Sequence, residues 1–232
     1  HSLRRRQRQM CIRDRYITHC YIVIPRDGRF YVSHEGEKTI TDEQREFLNT
    51  VASAIKLLED IVSMDAVLVH GVKRSIAVFR GKGLIVLETE PRGLSEMMLL
   101  APLISGEAQP LHNVSHPSEY PEVSLSSNDA LWGVAKRLRS SHVGISRCYI
   151  VERSDDSYKV AHDGEGELGE EEGVFIKRIL LAVSTMDTLV DLRYMVIIGQ
   201  DTVFVAKNRG LMIIRVRGRI SHDLLSLFSA VS

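Results

Sequence analysis

The chain contains two copies of one pattern, and this duplication restricts its fold more than any other feature. The motif HCYIV (19–23) recurs as RCYIV (147–151), and VSHEGE (32–37) recurs as VAHDGE (160–165), in both cases 128 residues farther on. The register runs without a gap to Gly71 and Gly199, loses one residue in a turn, and resumes at Gly83 and Gly210. A period this long is that of a whole domain rather than a solenoid repeat. We therefore expect two equivalent folding units in tandem.

Each copy predicts a β-hairpin, a long amphipathic helix, three further strands and a final helix. In the first copy the strands are predicted at 20–24, 29–33, 66–70, 75–79 and 84–87, with helices at 41–62 and 94–104. In the second copy the last three strands are predicted at 194–198, 202–206 and 211–214, and the final helix at 220–231. Thr41 is a predicted N-cap, and apolar residues follow it at spacings of three and four. Connections this short predict antiparallel neighbours.

The second copy also has a helix before its first strand, predicted at 129–140, and the first copy has no counterpart. The stretch RRQRQMCIRD (5–14) resembles the translation of a transposase-based sequencing adapter. We therefore interpret residues 1–15 as an adapter artefact and expect the first helix of the first unit to be missing. A basic arm is the alternative interpretation of the same residues.

The predicted domains are a first module at 16–105, a linker at 106–127 and a second module at 128–232. The linker contains Pro110, Pro117 and Pro121 among many polar residues, and it shows no helix or strand period. Lysine plus arginine and aspartate plus glutamate both number 30, so the formal net charge is zero and nothing favours nucleic acid. No apolar run approaches the roughly 20 residues that span a bilayer.

The order helix, hairpin, helix, three-stranded meander, helix resembles the roadblock/LC7 family, which belongs with the longin and profilin-like folds. The segments that carry the resemblance are CYIVIPRDGRFYVS (20–33), DAVLVHGVKRSIAVFRGKGLIVLE (65–88) and LRYMVIIGQDTVFVAKNRGLMIIRV (192–216). The second copy departs from the family pattern because it lacks the Asp-Gly hairpin turn. The resemblance implies an α/β (α+β) fold in which each module has a five-stranded antiparallel sheet between helices. It further implies that two modules pair through the central helix and the strand after it, giving one continuous sheet.

The strand after the central helix is apolar in both copies, and a bare apolar edge needs covering. We therefore predict that the two modules pair with each other as an intramolecular pseudo-dimer. The predicted module-pairing interface consists of Val67, Leu68, Val69, Met195, Val196 and Ile197.

Residue types that carry chemistry are sparse. His34 and His162 occupy equivalent positions, and a metal or acid–base role is one interpretation of them. Two ligands alone cannot define a metal site, so we predict instead that both histidines face solvent at the end of the hairpin. Cys20 and Cys148 are predicted to be small buried strand residues rather than nucleophiles. We see no phosphate loop, metal cluster or triad, and we predict no catalytic residue, cofactor or metal.

The resemblance implies a non-catalytic scaffold or regulator that binds a small Ras-like GTPase, or an adaptor subunit of a protein assembly. The sequence offers no evident arginine finger, so any effect on nucleotide turnover would come from positioning the GTPase's own residues. The alternative function is a small-ligand sensor, and a sizeable polar cavity would favour it. Three scattered cysteines predict a reducing, cytoplasmic location. Further self-association is left open.

Overall fold

The computed structural model describes residues 16–26, 29–34, 39–93, 97, 111, 114, 119–155, 157–164, 166–207 and 210–218. The strands in this part are β1 Ile17–Arg26, β2 Arg29–His34, β3 Met64–Gly71, β4 Ser75–Arg80, β5 Leu84–Thr89, β6 Glu122–Leu125, β7 Ile145–Ser154, β8 Ser157–His162, β9 Leu192–Gly199, β10 Thr202–Lys207 and β11 Leu211–Val216. The helices are α1 Asp42–Glu59, α2 Asp129–Ser141 and α3 Glu170–Val190, with a short 3₁₀ turn at Pro91–Gly93. None of the helices described is long and apolar enough to cross a membrane.

All eleven described strands form one sheet, in the order β2-β1-β5-β4-β3-β9-β10-β11-β7-β8-β6. The five strands of the first copy read β2-β1-β5-β4-β3, and those of the second copy repeat this order from the other side as β8-β7-β11-β10-β9. We call these two sets, with α1 and α3, the first and second halves. Even an irregularity is shared, since β1 shifts register against β5 between Ile17 and His19, and β7 shifts against β11 at the equivalent place.

The fold class is α+β, as predicted, but the sheet is not limited to the ten antiparallel strands expected from two five-stranded modules. It is one mixed sheet with an eleventh strand, β6, which comes from the segment predicted to be a linker without a strand. Glu122–Leu125 pairs with β8 in parallel, and Val123 lies opposite Tyr158. Exposed and half-buried residues alternate along β6. Four residues are too few for that period to stand out in a sequence full of proline and serine.

The predicted N-cap of α1 is present as a complete capping box. The Gln44 backbone N–H donates to Thr41 Oγ1 over 3.2 Å, and the Thr41 backbone N–H donates to Gln44 Oε1 over 2.9 Å. These two bonds satisfy donors that the first helical turn leaves without partners. The helix ends at Glu59, earlier than predicted, and Val62 follows it with only 9% of its surface exposed.

The sheet is covered on both faces. Helices α1 and α3 pack side by side on one face, where alternate residues of the strands join their apolar stripes in the larger core cluster. Helix α2 packs on the opposite face, over β7 and β8. The predicted final helices lie outside the described residues apart from Met97, which is buried. Residues 1–15 and the Asp27-Gly28 turn also lie outside them.

Candidate functional site

The structure brings all six predicted interface residues together, in a strand pairing that we call the seam. Strands β3 and β9 are antiparallel neighbours, and the facing pairs are Val67 with Ile197, Leu68 with Val196, and Val69 with Met195. All six residues are at most 1% exposed. Leu68 and Val196 are equivalent positions of the repeat, since 196 minus 68 is 128. The seam therefore has the geometry of an isologous contact, in which each copy offers the same patch to the other.

Two equivalent glycines lie at the ends of the seam, and at both positions the backbone of the other half comes too close for any larger residue. A Cβ on Gly71 would lie 2.1 Å from the Val190 carbonyl oxygen, and a Cβ on Gly199 would lie 1.8 Å from the Ser63 carbonyl oxygen. Both oxygens belong to backbone, which cannot rotate away. In the sequence these two glycines served only to align the two copies, although their equivalent positions were a signal that both meet the same kind of contact.

The helices above the seam are tied by an ion pair between the halves. Arg178 of α3 donates to the carboxylate of Asp60, at the end of α1, and Lys56 donates to the same carboxylate over 3.1 Å. Burial raises the pKa of Asp60, but the hydrogen bonds and charges of Arg178 and Lys56 outweigh burial and leave that pKa below its ordinary value.

Arg74, in the turn between β3 and β4, makes a second connection between the halves. Its Nε donates to the Leu189 carbonyl oxygen over 2.9 Å, and one terminal nitrogen donates to Glu88 over 2.7 Å. Its guanidinium carbon lies 5.3 Å from the centroid of the Phe47 ring. Glu88 is only 5% exposed and also accepts a 3.1 Å hydrogen bond from the Tyr21 hydroxyl. This buried carboxylate thus has two donors, one of them charged.

A cavity of about 590 Å³ opens beside this network, and we call it the seam cavity. It lies between the N-terminal half of α1, strand β1, the Arg74 turn and the end of α3. Its lining is mostly polar and consists of His19, Tyr21, Thr41, Glu43, Gln44, Glu46, Phe47, Thr50, Arg74, Glu88, Thr188 and Leu189. Because Thr188 and Leu189 come from the second half, the cavity exists only where the two halves meet.

The equivalent place in the second half carries its own network with different charges. The Tyr149 hydroxyl donates to Glu172 over 2.9 Å, and Arg147 Nε lies 3.2 Å from the same carboxylate. The guanidinium of Arg215 lies 4.9 Å from the centroid of the Phe175 ring. Burial, followed by the Glu172 hydrogen bond, raises the pKa of Tyr149.

Comparison by position shows how the two networks diverged. Tyr149 and Phe175 correspond to Tyr21 and Phe47, so the aromatic frame is unchanged. The other three positions changed, and the pairs are His19 with Arg147, Gln44 with Glu172, and Glu88 with Arg215. The second half therefore holds two guanidinium groups where the first half holds an imidazole and a carboxylate.

The prediction that both equivalent histidines face solvent is wrong. His162 is 3% exposed, lies against Trp132 of α2, and accepts a 3.0 Å hydrogen bond from the Gly164 N–H at Nδ1. His34 is half-buried, and its ring stacks on Tyr21 with a centroid separation of 4.7 Å. Its Nε2 lies 3.1 Å from His19 Nδ1. The second histidine is covered because the helix before β7 folds over the end of the hairpin.

Cys20 and Cys148 are both buried in strands, at 3% and 0% exposure. Burial, with the nearby Asp163 carboxylate, raises the pKa of Cys148 to about 12, so it is a neutral thiol at pH 7. In the part of the chain that the structure describes, no group of three or more histidine, cysteine, aspartate and glutamate residues is arranged to hold a metal ion.

Comparisons with family models, with curated proteins and with solved structures found no match to this chain.

Proposed function

We propose that the chain is a non-catalytic scaffold made of two roadblock-like modules, which pair as an intramolecular pseudo-dimer and bind a small Ras-like GTPase. The observation that carries the proposal is the seam, because Leu68 pairs with its own counterpart Val196 in the register that the repeat requires. The shared strand order of the two halves supports the same interpretation. The cytoplasmic location and an adaptor role in a larger assembly stay predictions.

The layer formed by α1 and α3 is the surface that we assign to the partner. The two helices pack against each other over the seam, and the Asp60–Arg178 pair joins them at one end. Val174, near the start of α3, is 43% exposed although it is apolar, and Asn49 of α1 is exposed. A rigid two-helix surface of this kind gives a partner a preformed docking face, which lowers the ordering cost of binding.

The test is binding of a Ras-like GTPase from the same source, loaded with GDP or with a non-hydrolysable GTP analogue, followed by nucleotide turnover. We expect binding, and we expect Asn49→Arg combined with Val174→Arg to weaken it at least about tenfold. Val143→Arg is the matched control, since Val143 is 98% exposed in the turn between α2 and β7. Absence of binding at high concentration would remove the GTPase proposal, whereas binding without altered turnover would identify the chain as a tether rather than an activator.

A small-ligand sensor is the second candidate function, and the seam cavity favours it. Its volume of about 590 Å³ lies within the roughly 300–1,000 Å³ typical of small-molecule sites. Tyr21, Glu88 and Arg74 line it and are joined by hydrogen bonds, which gives a ligand fixed groups to recognise. A screen of small polar molecules by thermal shift tests this candidate without reference to any GTPase.

A further inference from the structure

We propose that the outer edge of strand β2 binds an extended segment of a partner protein, which adds to the sheet as one further parallel strand. The segment places an apolar side chain against the exposed pair Ile24 and Tyr31. This edge is separate from the outward surface of α1 and α3 and from the seam cavity. The inference therefore does not depend on the GTPase proposal or on the sensor.

The second half shows how the equivalent edge is completed. Strand β8, the counterpart of β2, carries β6 on its outer side in parallel, with Leu125 opposite Val160. The Ser126 backbone N–H donates to the Val160 carbonyl oxygen over 2.8 Å. The first half ends at β2, and no strand in the described part of the chain pairs with its outer side. An edge of this kind is a template for another strand, and β6 shows the geometry that such a strand takes on this fold.

The backbone groups that an added strand needs are set by the repeat. Val32 is the counterpart of Val160, and it lies opposite Val23 just as Val160 lies opposite Val151. Because the carbonyl of Val160 points outward to β6, the same backbone in β2 directs the carbonyl of Val32 outward. The N–H of a strand residue points to the same side as its carbonyl, so Val32 offers both a donor and an acceptor to an incoming strand.

The side chains beside the edge differ between the halves. Tyr31 is 54% exposed and Ile24 is 37% exposed, and the two lie directly opposite each other, so their side chains share one face of the sheet. Their counterparts, 128 residues farther on, are Lys159 and Glu152, which also lie directly opposite each other. The covered strand of the second half therefore has a base opposite an acid where β2 has an aromatic residue opposite an aliphatic one.

This difference indicates the chemistry of the partner. Lysine is typical of strands protected against unwanted pairing, whereas an exposed apolar pair at a sheet edge favours it. In β6 the residue opposite Lys159 is Ser124, and only Val123 and Leu125, on the other face, are half-buried. A segment bound to β2 gains by having an apolar residue in the place of Ser124, because that residue covers Tyr31. The partner segment is therefore apolar on both faces, unlike β6.

Two capped peptides serve as probes in calorimetric titration of the whole chain. One has the sequence of residues 120–127, YPEVSLSS, and the other carries isoleucine in place of Ser124. We expect the isoleucine peptide to bind at least about fivefold more tightly than the serine peptide. Because β6 is tethered to the chain at an effective concentration of about 1 mM, it should stay on β8. Hydrogen exchange locates the peptide, since binding should protect the Val32 amide and leave the Val160 amide unchanged.

The decisive variant combines Ile24→Glu with Tyr31→Lys, which gives β1 and β2 the pair that their counterparts already carry. The second half folds with this pair, so we expect unchanged melting by circular dichroism. The variant should lose at least about fivefold in affinity for the isoleucine peptide. Val72→Glu combined with Val143→Lys is the matched control, because both residues are exposed and apolar and lie in turns outside β1 and β2. The control should lose no affinity.

Peptide N-methylation tests the parallel register. A methyl group on the nitrogen at the Ser126 position removes the donor to the Val32 carbonyl and should abolish binding. The same change at the Leu125 position should be tolerated, because N–H groups alternate in direction along a strand and that one points away from the sheet.

Equal losses in the two double variants, equal effects of the two N-methyl groups, protection of β8 rather than β2, or failure of both peptides to bind would overturn the proposal. Sedimentation velocity of the chain alone tests the other occupant of the edge, a second copy. We expect no dimer that depends on Ile24 and Tyr31. A dimer abolished by Ile24→Glu with Tyr31→Lys would assign the edge to self-association and overturn the partner protein.

Discussion

Replacing Gly199 by alanine should cut the stability of the whole sheet, because the added methyl group has no room at the seam. The new Cβ would lie 1.8 Å from the Ser63 carbonyl oxygen and 2.9 Å from the Ser63 carbonyl carbon. Real Cβ atoms essentially never come closer than 3.0 Å to such atoms, so the backbones of the two halves must separate locally by more than 1 Å.

The expected cost follows from two effects. Overpacking of a well-packed site costs roughly 1–3 kcal/mol. A separation of this size also weakens a seam hydrogen bond, which contributes about 1 kcal/mol. We therefore expect Gly199→Ala to lower the free energy of unfolding by about 3 kcal/mol. Gly71→Ala, whose Cβ would lie 2.1 Å from the Val190 carbonyl oxygen, should behave alike.

Urea unfolding followed by circular dichroism measures the effect, and two other glycines provide controls of opposite sign. Gly133 in α2 and Gly173 in α3 are helical, and a Cβ on either would meet nothing within 4 Å. Alanine at these positions should stabilise the protein by about 0.5–1 kcal/mol, since it restricts the unfolded chain. If Gly199→Ala unfolds at the same urea concentration as the unaltered chain, the close approach at the seam is wrong.

Arg74→Ala should lower the free energy of unfolding by about 3 kcal/mol, because it leaves the buried Glu88 carboxylate without its cation. Urea unfolding measures this loss, with Arg92→Ala as the control variant, and equal losses in the two variants would refute the prediction. Stability should fall as pH rises above 9, the ordinary Cys148 pKa, towards about 12, because only the unfolded thiol ionises in that range. Cys148→Ala should reduce this loss in unfolding experiments at pH 7–11, and an unchanged slope would contradict the burial argument. At acidic pH, the ionised Asp60 carboxylate stabilises the folded chain, because its pKa there is lower than the ordinary 3.8. This stabilisation is complete above pH 3.8 and is lost as the pH falls through the pKa of the folded state. Asp60→Asn should therefore remove this contribution from an acid unfolding curve.

Much of the architecture could be predicted from the sequence because the determinants are local. The capping box of α1 needs only Thr41 and Gln44, three residues apart, and the helix stripe needs only its period. The strands of the meander follow from short apolar runs separated by glycines. The duplication then added long-range information, since it pointed to Leu68 and Val196 as counterparts.

The features that escaped prediction depend on contacts between residues distant in sequence. Glu88 ends an apolar run, and nothing near it indicates that Tyr21, 67 residues away, donates to it. Burial of His162 depends on the helix that folds over the end of the hairpin. The period of two along a strand assigns a residue to one face of the sheet, but it does not show what covers that face. The seam cavity needs residues of both halves, so no local pattern could predict it.

The central claim is that two equivalent halves of one chain meet in register at Leu68 and Val196. Methyl-labelled NMR tests it directly, through nuclear Overhauser contacts between methyl groups in a mixture of differently labelled chains. We predict contacts between Leu68 and Val196 and between Val67 and Ile197, all arising within a single chain. Contacts in another register, contacts only between chains, or none across these strands would contradict the claim.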